Sequence, residues 1–261
     1  MRQTYREKYF ICGDYKEVYI YPCYSSAPKA GCRRSKAKPT SEVQKKLNKR
    51  ISQNKLIRLL NANFTADDLS FDVTYAEDNN PKDDNQALSD VKNFLRRLVR
   101  LRKSKGLPEL KYIYVTAKGV KNGRYHHHLV LSGGVSVWEL TKLWGLGYTK
   151  AAPLQFNATG LIPKGCYLMK QNAITRHGYC ASRNLIQPQP KVRDGRFSQR
   201  KMYELSQALD DRKEYAKLYE GYNLAEASSF YNDGNNAFYL CVRLYRQDAT
   251  FNGMIRRRRR L

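Results

Sequence analysis

Acidic residues are scarce in this chain. Against 48 Lys and Arg stand only 23 Asp and Glu, a formal net charge of +25 over 261 residues. Such an excess says little about fold and much about partners. It points to a polyanion, nucleic acid before any other, because each phosphate neutralised releases a condensed counterion. Long apolar runs are missing too: no segment approaches the ~20 apolar residues of a membrane span, and no basic amphipathic helix suggests a membrane surface. The opening stretch MRQTYREKYFICGDYKE is charged throughout, unlike a secretion signal. The six cysteines (Cys12, Cys23, Cys32, Cys166, Cys180, Cys241) include no C-x-x-C pair, which argues against a zinc knuckle and predicts reduced thiols in a cytosol. There is no G-x-x-x-x-G-K-[ST] phosphate loop, so any unwinding of duplex must come from another protein. No internal repeat is visible. Histidine is rarest of all: four in the chain, three of them adjacent as His126, His127 and His128.

What is present favours sheet. Hydrophobic residues make up 41%, enough for a real core, and 20 tyrosines and 9 phenylalanines suit strands. Residues 5–24 read as a hairpin, with strands at 9–11 and 18–21 and a turn at Gly13-Asp14. Residues 25–41 form a basic, Pro-containing linker, and 41–60 a helix whose Lys and Arg are either a solvated face or DNA-backbone contacts. A regular pattern follows: strand 69–75, an acidic Asn-rich loop at 76–87, amphipathic helix 88–102, strands 112–116 and 125–131 joined through the Asn122-Gly123 turn, helix 137–143, strand 148–156, and a helix from Pro163 to about Lys170. The order β-α-β-β-α-β followed by a helix predicts an α+β fold of the ferredoxin-like split type, an antiparallel sheet with helices on one face. Residues 197–232 read as helical and polar, and 235–243 as a strand. The expected organisation is 1–60 (hairpin, linker, basic helix), 61–195 (central domain) and 196–261 (helical extension ending in an arginine tail).

In a strand, alternation places His126 and His128 on one face and His127 on the other, with Tyr125 and Leu129. Two imidazoles at i and i+2 suit one divalent ion, so His126 and His128 are candidate metal ligands. Downstream, GCYLMKQ carries Tyr167 and Lys170 three apart on one helix face. Tyrosine is a poor nucleophile at its usual pKa of ~10. A neighbouring ammonium stabilises developing phenolate, and a metal-polarised phosphate is a better electrophile.

The strand LSFDVTYAED (69–78), the strand GRYHHHLVL (123–131) and the helix YLMK (167–170) together resemble, in that order, the rolling-circle replication initiators of the HUH endonuclease superfamily. More narrowly, with CASRNLIQP (180–188) and NANFTADDLSFDVTY (61–75), the chain looks like the replication-associated proteins of Gram-positive phages, plasmids and integrated elements, distant kin of the filamentous-phage gene II proteins. The resemblance covers roughly residues 5–195. It implies that His126 and His128 hold Mg²⁺ or Mn²⁺ against the scissile phosphate of single-stranded origin DNA. Tyr167 would then attack, leaving a 5′-phosphotyrosine and a 3′-OH that primes a host polymerase, with Lys170 stabilising charge. A host helicase and the cytoplasm of a phage- or plasmid-bearing bacterium come with that reading; a membrane does not. Where many relatives carry a third ligand in a stretch like YVTEKG, this chain reads YVTAKG, with Ala117 in that slot. A turn at Asn122-Gly123 pairs Ala117 with His128, and a turn one residue earlier pairs it with His126; either way it lies on the metal face. Glu77, at the end of the preceding strand, is the alternative carboxylate.

Two other readings compete. A non-catalytic single-strand-binding protein would need only the tyrosines and basic segments, and not Tyr167 with His126 and His128. A relaxase or transposase would share the chemistry in a different setting. Candidate DNA contacts are Arg124 and Arg183, then Arg33, Arg34, Lys36 and Lys38 of the linker and Arg256, Arg257, Arg258, Arg259 and Arg260 of the tail. Deleting 256–260 is expected to weaken binding to all sequences and to flatten the dependence of log affinity on log salt. An unchanged slope in a salt titration would remove the tail from the DNA contacts.

Overall fold

The structure is a computed structural model and describes residues 4–23, 41–119, 123–171, 173–175 and 178–249. The linker cations Arg33, Arg34, Lys36 and Lys38, the tail arginines 256–260, Asn122 of the predicted turn and the fourth histidine, His177, lie outside the described residues. Two compact units emerge: one formed by 63–156 and 161–186, the other by 1–62, 157–160 and 187–261.

The chain begins with β1 (Thr4–Cys12) and β2 (Tyr15–Cys23), whose register Cys12↔Tyr15 leaves Gly13-Asp14 as the two-residue turn. Helix α1 (Glu42–Asn63) follows. Next come β3 (Leu69–Thr74), α2 (Asp84–Ser104), β4 (Tyr112–Lys118), β5 (Tyr125–Leu131), α3 (Val137–Trp144), β6 (Thr149–Pro153), α4 (Ile162–Lys170) and the two-residue β7 (Cys180–Ala181). These pair in the order β6-β3-β5-β4-β7, every pairing antiparallel. With its helices this is the split α+β arrangement expected from the sequence.

Alternation builds the core of this unit. Phe71, Val73 and Tyr75 from the β3 segment and Leu129 and Leu131 from β5 point to one face and are buried. Against them α2 lays a stripe of Ala87, Val91, Phe94, Leu95 and Leu98, the 3.6-residue periodicity read from the sequence. Asp83 caps α2 by accepting from the Gln86 amide, and α3 starts on a Ser136–Glu139 capping box and stops at Gly145 in the left-handed region. Trp144 of α3 packs edge-on to Phe94 and Tyr75. Helices α2 and α3 thus share one face. Helix α4 lies on the other, where Lys164 donates to Ser70 Oγ at 2.6 Å and the Tyr167 ring meets His128.

The second unit corrects one expectation. Residues 197–232 are not helical throughout. After β8 (Lys191–Asp194), helices α5 (Gln199–Gln207) and α6 (Arg212–Leu218) give way to β9 (Tyr222–Asn232), which pairs antiparallel with β10 (Ala237–Arg246). So the C-terminal stretch is not simply a helical extension. It joins the N-terminal hairpin in one five-stranded sheet, β8-β1-β2-β10-β9. The physical reason is β9's edge position. An edge strand needs no clean alternation, and YNLAEASSFYN, rich in Ala, Glu and Ser, takes its structure from pairing with β10 rather than from propensity. On one face of this sheet Tyr5, Tyr9, Val18, Ile20 and Val242 pack against α5 and α6.

Gly147 supports the end of β3. Thr74 N–H donates to the Tyr148 carbonyl and Ala76 N–H to the Leu146 carbonyl, both at 2.9 Å. A Cβ at 147 would sit 2.3 Å from the Ala76 nitrogen and 2.6 Å from the Thr74 oxygen, backbone atoms that cannot swing aside. Gly147→Ala is therefore expected to cost about 1–3 kcal/mol, the range for overpacking. A urea unfolding curve with an unchanged midpoint would refute the close approach.

Candidate functional site

Strand β5 lies between β3 and β4 and is hydrogen-bonded on both sides, which fixes where its imidazoles point. The pairing Thr116↔His127 puts His127 on the core face, as alternation predicted. It is fully buried: Nε2 lies 2.8 Å from the Tyr75 hydroxyl, Nδ1 lies 2.8 Å from Thr116 Oγ1, and the ring packs edge-on to Trp144. Burial, reinforced by His126 and His128, pushes its pKa down to about 3. His127 is a neutral, fully bonded core residue.

The opposite face carries the pair. Of the two registers considered for Ala117, the structure has Ala117↔His126. On the other side, β3 pairs Asp72 with His128 and Thr74 with His126. Asp72 Oδ1 accepts from His128 Nδ1 at 2.8 Å. Burial alone would raise the Asp72 carboxyl; the His128 hydrogen bond and charge, with Lys164 and Lys150, more than offset it and lower its pKa. An ionised carboxylate on Nδ1 holds that proton in place and leaves the lone pair on Nε2, which is buried and has no hydrogen-bond partner. The His126 ring centroid is 5.0 Å from that of His128. Burial, with His128 beside it, lowers the His126 pKa, although the Arg124 backbone and the Gln171 side chain pull the other way.

Tyr167, on the solvent side of α4, completes the cluster. Its ring meets His128 edge-on with centroids 5.2 Å apart. Burial, then the Asp72 charge, raises its pKa, so the resting group is a phenol. Of the two lysines one turn away, Lys164 is the one packed inward, its Nζ 5.4 Å from the Tyr167 ring centroid; burial lowers its pKa against the pull of Asp72. Lys170 is exposed at the last residue of α4.

Glu77 sits in an exposed single turn, Glu77–Asn79, and Asp72 is the carboxylate that strand pairing brings to the histidines. Arg124 is exposed next to His126, where a hollow of ≈ 350 Å³ is lined by Thr74, Gly119, Arg124, His126 and Tyr148. Arg183 is exposed just beyond β7 and joins none of these contacts. Sequence reasoning missed Asp72 and Lys164. The signal for Asp72 was a charge in the polar phase of a strand whose other phase is Phe71, Val73 and Tyr75. The signal for Lys164 was a second lysine three residues from Tyr167.

The donors fit a hard divalent ion only partly. Among the described residues, no three His, Cys, Asp or Glu side chains are grouped to hold an ion. What the site offers is two imidazoles, one with a bare buried nitrogen, and a carboxylate that orients it. No described helix is long and apolar enough to cross a membrane, and the described cysteines are free.

Fold and site together define an α+β split-sheet domain with a paired-histidine central strand and a tyrosine-bearing helix behind it. Residues 70–172, which span both features, match the family of replication-associated proteins typified by ORF2 and the phage gene II protein. The resemblance read from the HHH strand and the YLMK helix holds over that stretch. No curated protein and no solved structure matches the chain.

His127 gives the site a pH signature. Unfolded, it binds a proton below ~6.5; folded, it stays neutral down to about 3. Its contribution to stability is present above the unfolded pKa and is lost as pH falls towards the folded one, by up to about 1.4 kcal/mol per pH unit. In His127→Gln, this one-proton component of the pH dependence between 6.5 and 3 is expected to disappear. Equal slopes for both proteins in urea unfolding across that range would contradict a neutral His127.

Proposed function

We propose that the chain initiates rolling-circle replication by cutting and rejoining single-stranded origin DNA through Tyr167. The observation that carries this reading is the bare Nε2 of His128, held between the Asp72 carboxylate behind it and the Tyr167 ring. A structural histidine in this position would be bonded on both nitrogens, as His127 is.

His126 and His128 would hold Mg²⁺ or Mn²⁺, with water and DNA oxygens filling the positions that protein does not. When bound, the ion polarises the scissile phosphate and neutralises its charge. Asp72 orients His128 and strengthens its donor nitrogen. Tyr167 Oη attacks phosphorus. The O–P bond to tyrosine forms and the bond to the 3′ oxygen breaks, giving a 5′-phosphotyrosine and a free 3′-OH; the phenol gives up its proton as the leaving oxygen gains one. The ammonium of Lys164, with Lys170 beyond it, stabilises negative charge at Tyr167. Attack of a 3′-OH on the phosphotyrosine reverses the step and rejoins a strand. Arg124 and the hollow beside His126 are suited to a neighbouring nucleotide, and the linker and tail cations to phosphates. A host helicase would open the duplex and a host polymerase extend the 3′-OH, in the bacterial cytoplasm.

Incubation with labelled single-stranded origin DNA and Mn²⁺, followed by denaturing electrophoresis, tests this. Wild type is expected to yield a covalent adduct and Tyr167→Phe none, with DNA binding intact. Asp72→Asn is expected to raise the Mn²⁺ concentration for half-maximal nicking by about 10-fold or more, the lower end of the effect of losing a carboxylate behind a metal-bound histidine. An adduct that survives in Tyr167→Phe would reassign the nucleophile, and binding without any adduct in the wild type would leave a single-strand-binding protein.

A further inference from the structure

The unit containing both chain ends has a cleft of its own, ≈ 870 Å³, between α1 and the sheet face opposite α5 and α6. Pairing builds its floor in rows: Lys8↔Tyr19 and Cys241↔Tyr19 from β1, β2 and β10, and Tyr239↔Phe230 from β10 and β9. The C-terminal half of α1 is seated on this face. Leu56, Ile57 and Leu60 are buried, Asn54 donates to the Tyr19 hydroxyl at 2.8 Å, and Arg58 pairs with Glu17 at 2.5 Å.

The N-terminal half of α1 is left unpacked. Val43, Leu47 and Ile51, at i, i+4 and i+8, are 79%, 49% and 54% exposed. Across the cleft from Leu47 and Ile51, Phe230 is 64% exposed, its ring centroid 6.2 Å from that of Tyr239. The charges around these apolar groups are of one sign. Lys8 and Arg50 line the cleft, and Lys46 and Lys49 are exposed on the same turns of α1. The carboxylate on this face, Glu17, is wholly buried and already shared by Arg58 and Arg243. Exposed rings within reach of cations suit a ligand with flat apolar faces on an anionic backbone. Unpaired nucleotides have that chemistry; in a duplex the base faces are already stacked on one another.

We propose that this cleft is a single-strand nucleic-acid site, a base stacking on Phe230 and Tyr239 while phosphates lie along Lys8 and Arg50. It lies outside residues 70–172 and does not rest on the strand-transfer reading.

The full-length protein titrated against fluorescein-labelled oligo(dT), with anisotropy as readout at several salt concentrations, tests it. Phe230 and Arg50 are exposed, and thermal melts would confirm that their variants fold. Phe230→Ala is expected to weaken oligo(dT) binding about tenfold, one stacking contact, with an unchanged salt slope and unchanged binding to duplex. Phe230→Tyr should restore it. Arg50→Ala should weaken binding and lower the slope by about 0.7, one phosphate contact on a single strand. Photocrosslinking with 5-iodouracil oligonucleotides should label peptides from β2, β9 or β10. Wild-type affinity in Phe230→Ala, an equal loss on duplex, or crosslinks confined to 70–172 would overturn the proposal. Self-association lost in Phe230→Ala with oligo(dT) binding intact would also overturn it, in favour of a protein-docking surface. A wild type without a Tyr167 adduct would sink the catalytic reading and leave these measurements standing.

Discussion

The double pairing of β5 is the constraint on which the candidate site depends. Once β3 and β4 are both hydrogen-bonded to it, a slip of one residue would turn His127 outward and bury His126 and His128 against α2 and α3. Tyr75 and Thr116 resist that slip, because each bonds one nitrogen of His127 and both would be left unpaired in the core. The same register places Asp72 opposite His128. The buried histidine thus fixes the orientation of its two neighbours, and the carboxylate on β3 fixes the proton on one of them.

The scarcity of acid has a counterpart in how the carboxylates are used. Glu17 is fully buried between Arg58 and Arg243, and Glu7 meets Arg196 at 2.8 Å and the Tyr219 hydroxyl at 2.9 Å. Removing such charges from water is costly unless every oxygen is bonded, and here each carboxylate has several partners. Carboxylates spent inside the fold leave the exposed cations of α1 with little to neutralise them. The surface is therefore more one-sided than the composition suggests.

Much of this was legible in the sequence. The residues of β5 were bounded correctly because HHHLVL alternates and turn glycines flank it, and α2 because its apolar stripe repeats every 3.6 residues. The face of each histidine followed from the period of two alone. What escaped was set by partners distant in sequence. Strand β9 pairs with β10 across a short turn, but its sheet is completed by β2, near the start of the chain, and nothing local marks its polar run as a strand. Asp72 needed the β3–β5 register, which spacing does not supply. The choice between Lys164 and Lys170 depended on how α4 is rotated over the sheet; both lie one turn from Tyr167.

The sheet β8-β1-β2-β10-β9 draws strands from both ends of the chain, with the residues of the other unit inserted between them. During synthesis the N-terminal hairpin emerges first, yet it has no β10 to pair with until most of the chain has left the ribosome. The contiguous stretch 63–186 already holds every strand of its own sheet by then, apart from the short 157–160 excursion. Folding order is thus expected to run from the middle outward, with the hairpin waiting as an unpaired edge. A chain interrupted before residue 237 would retain its histidines and tyrosine and still lack the strand that closes its first sheet.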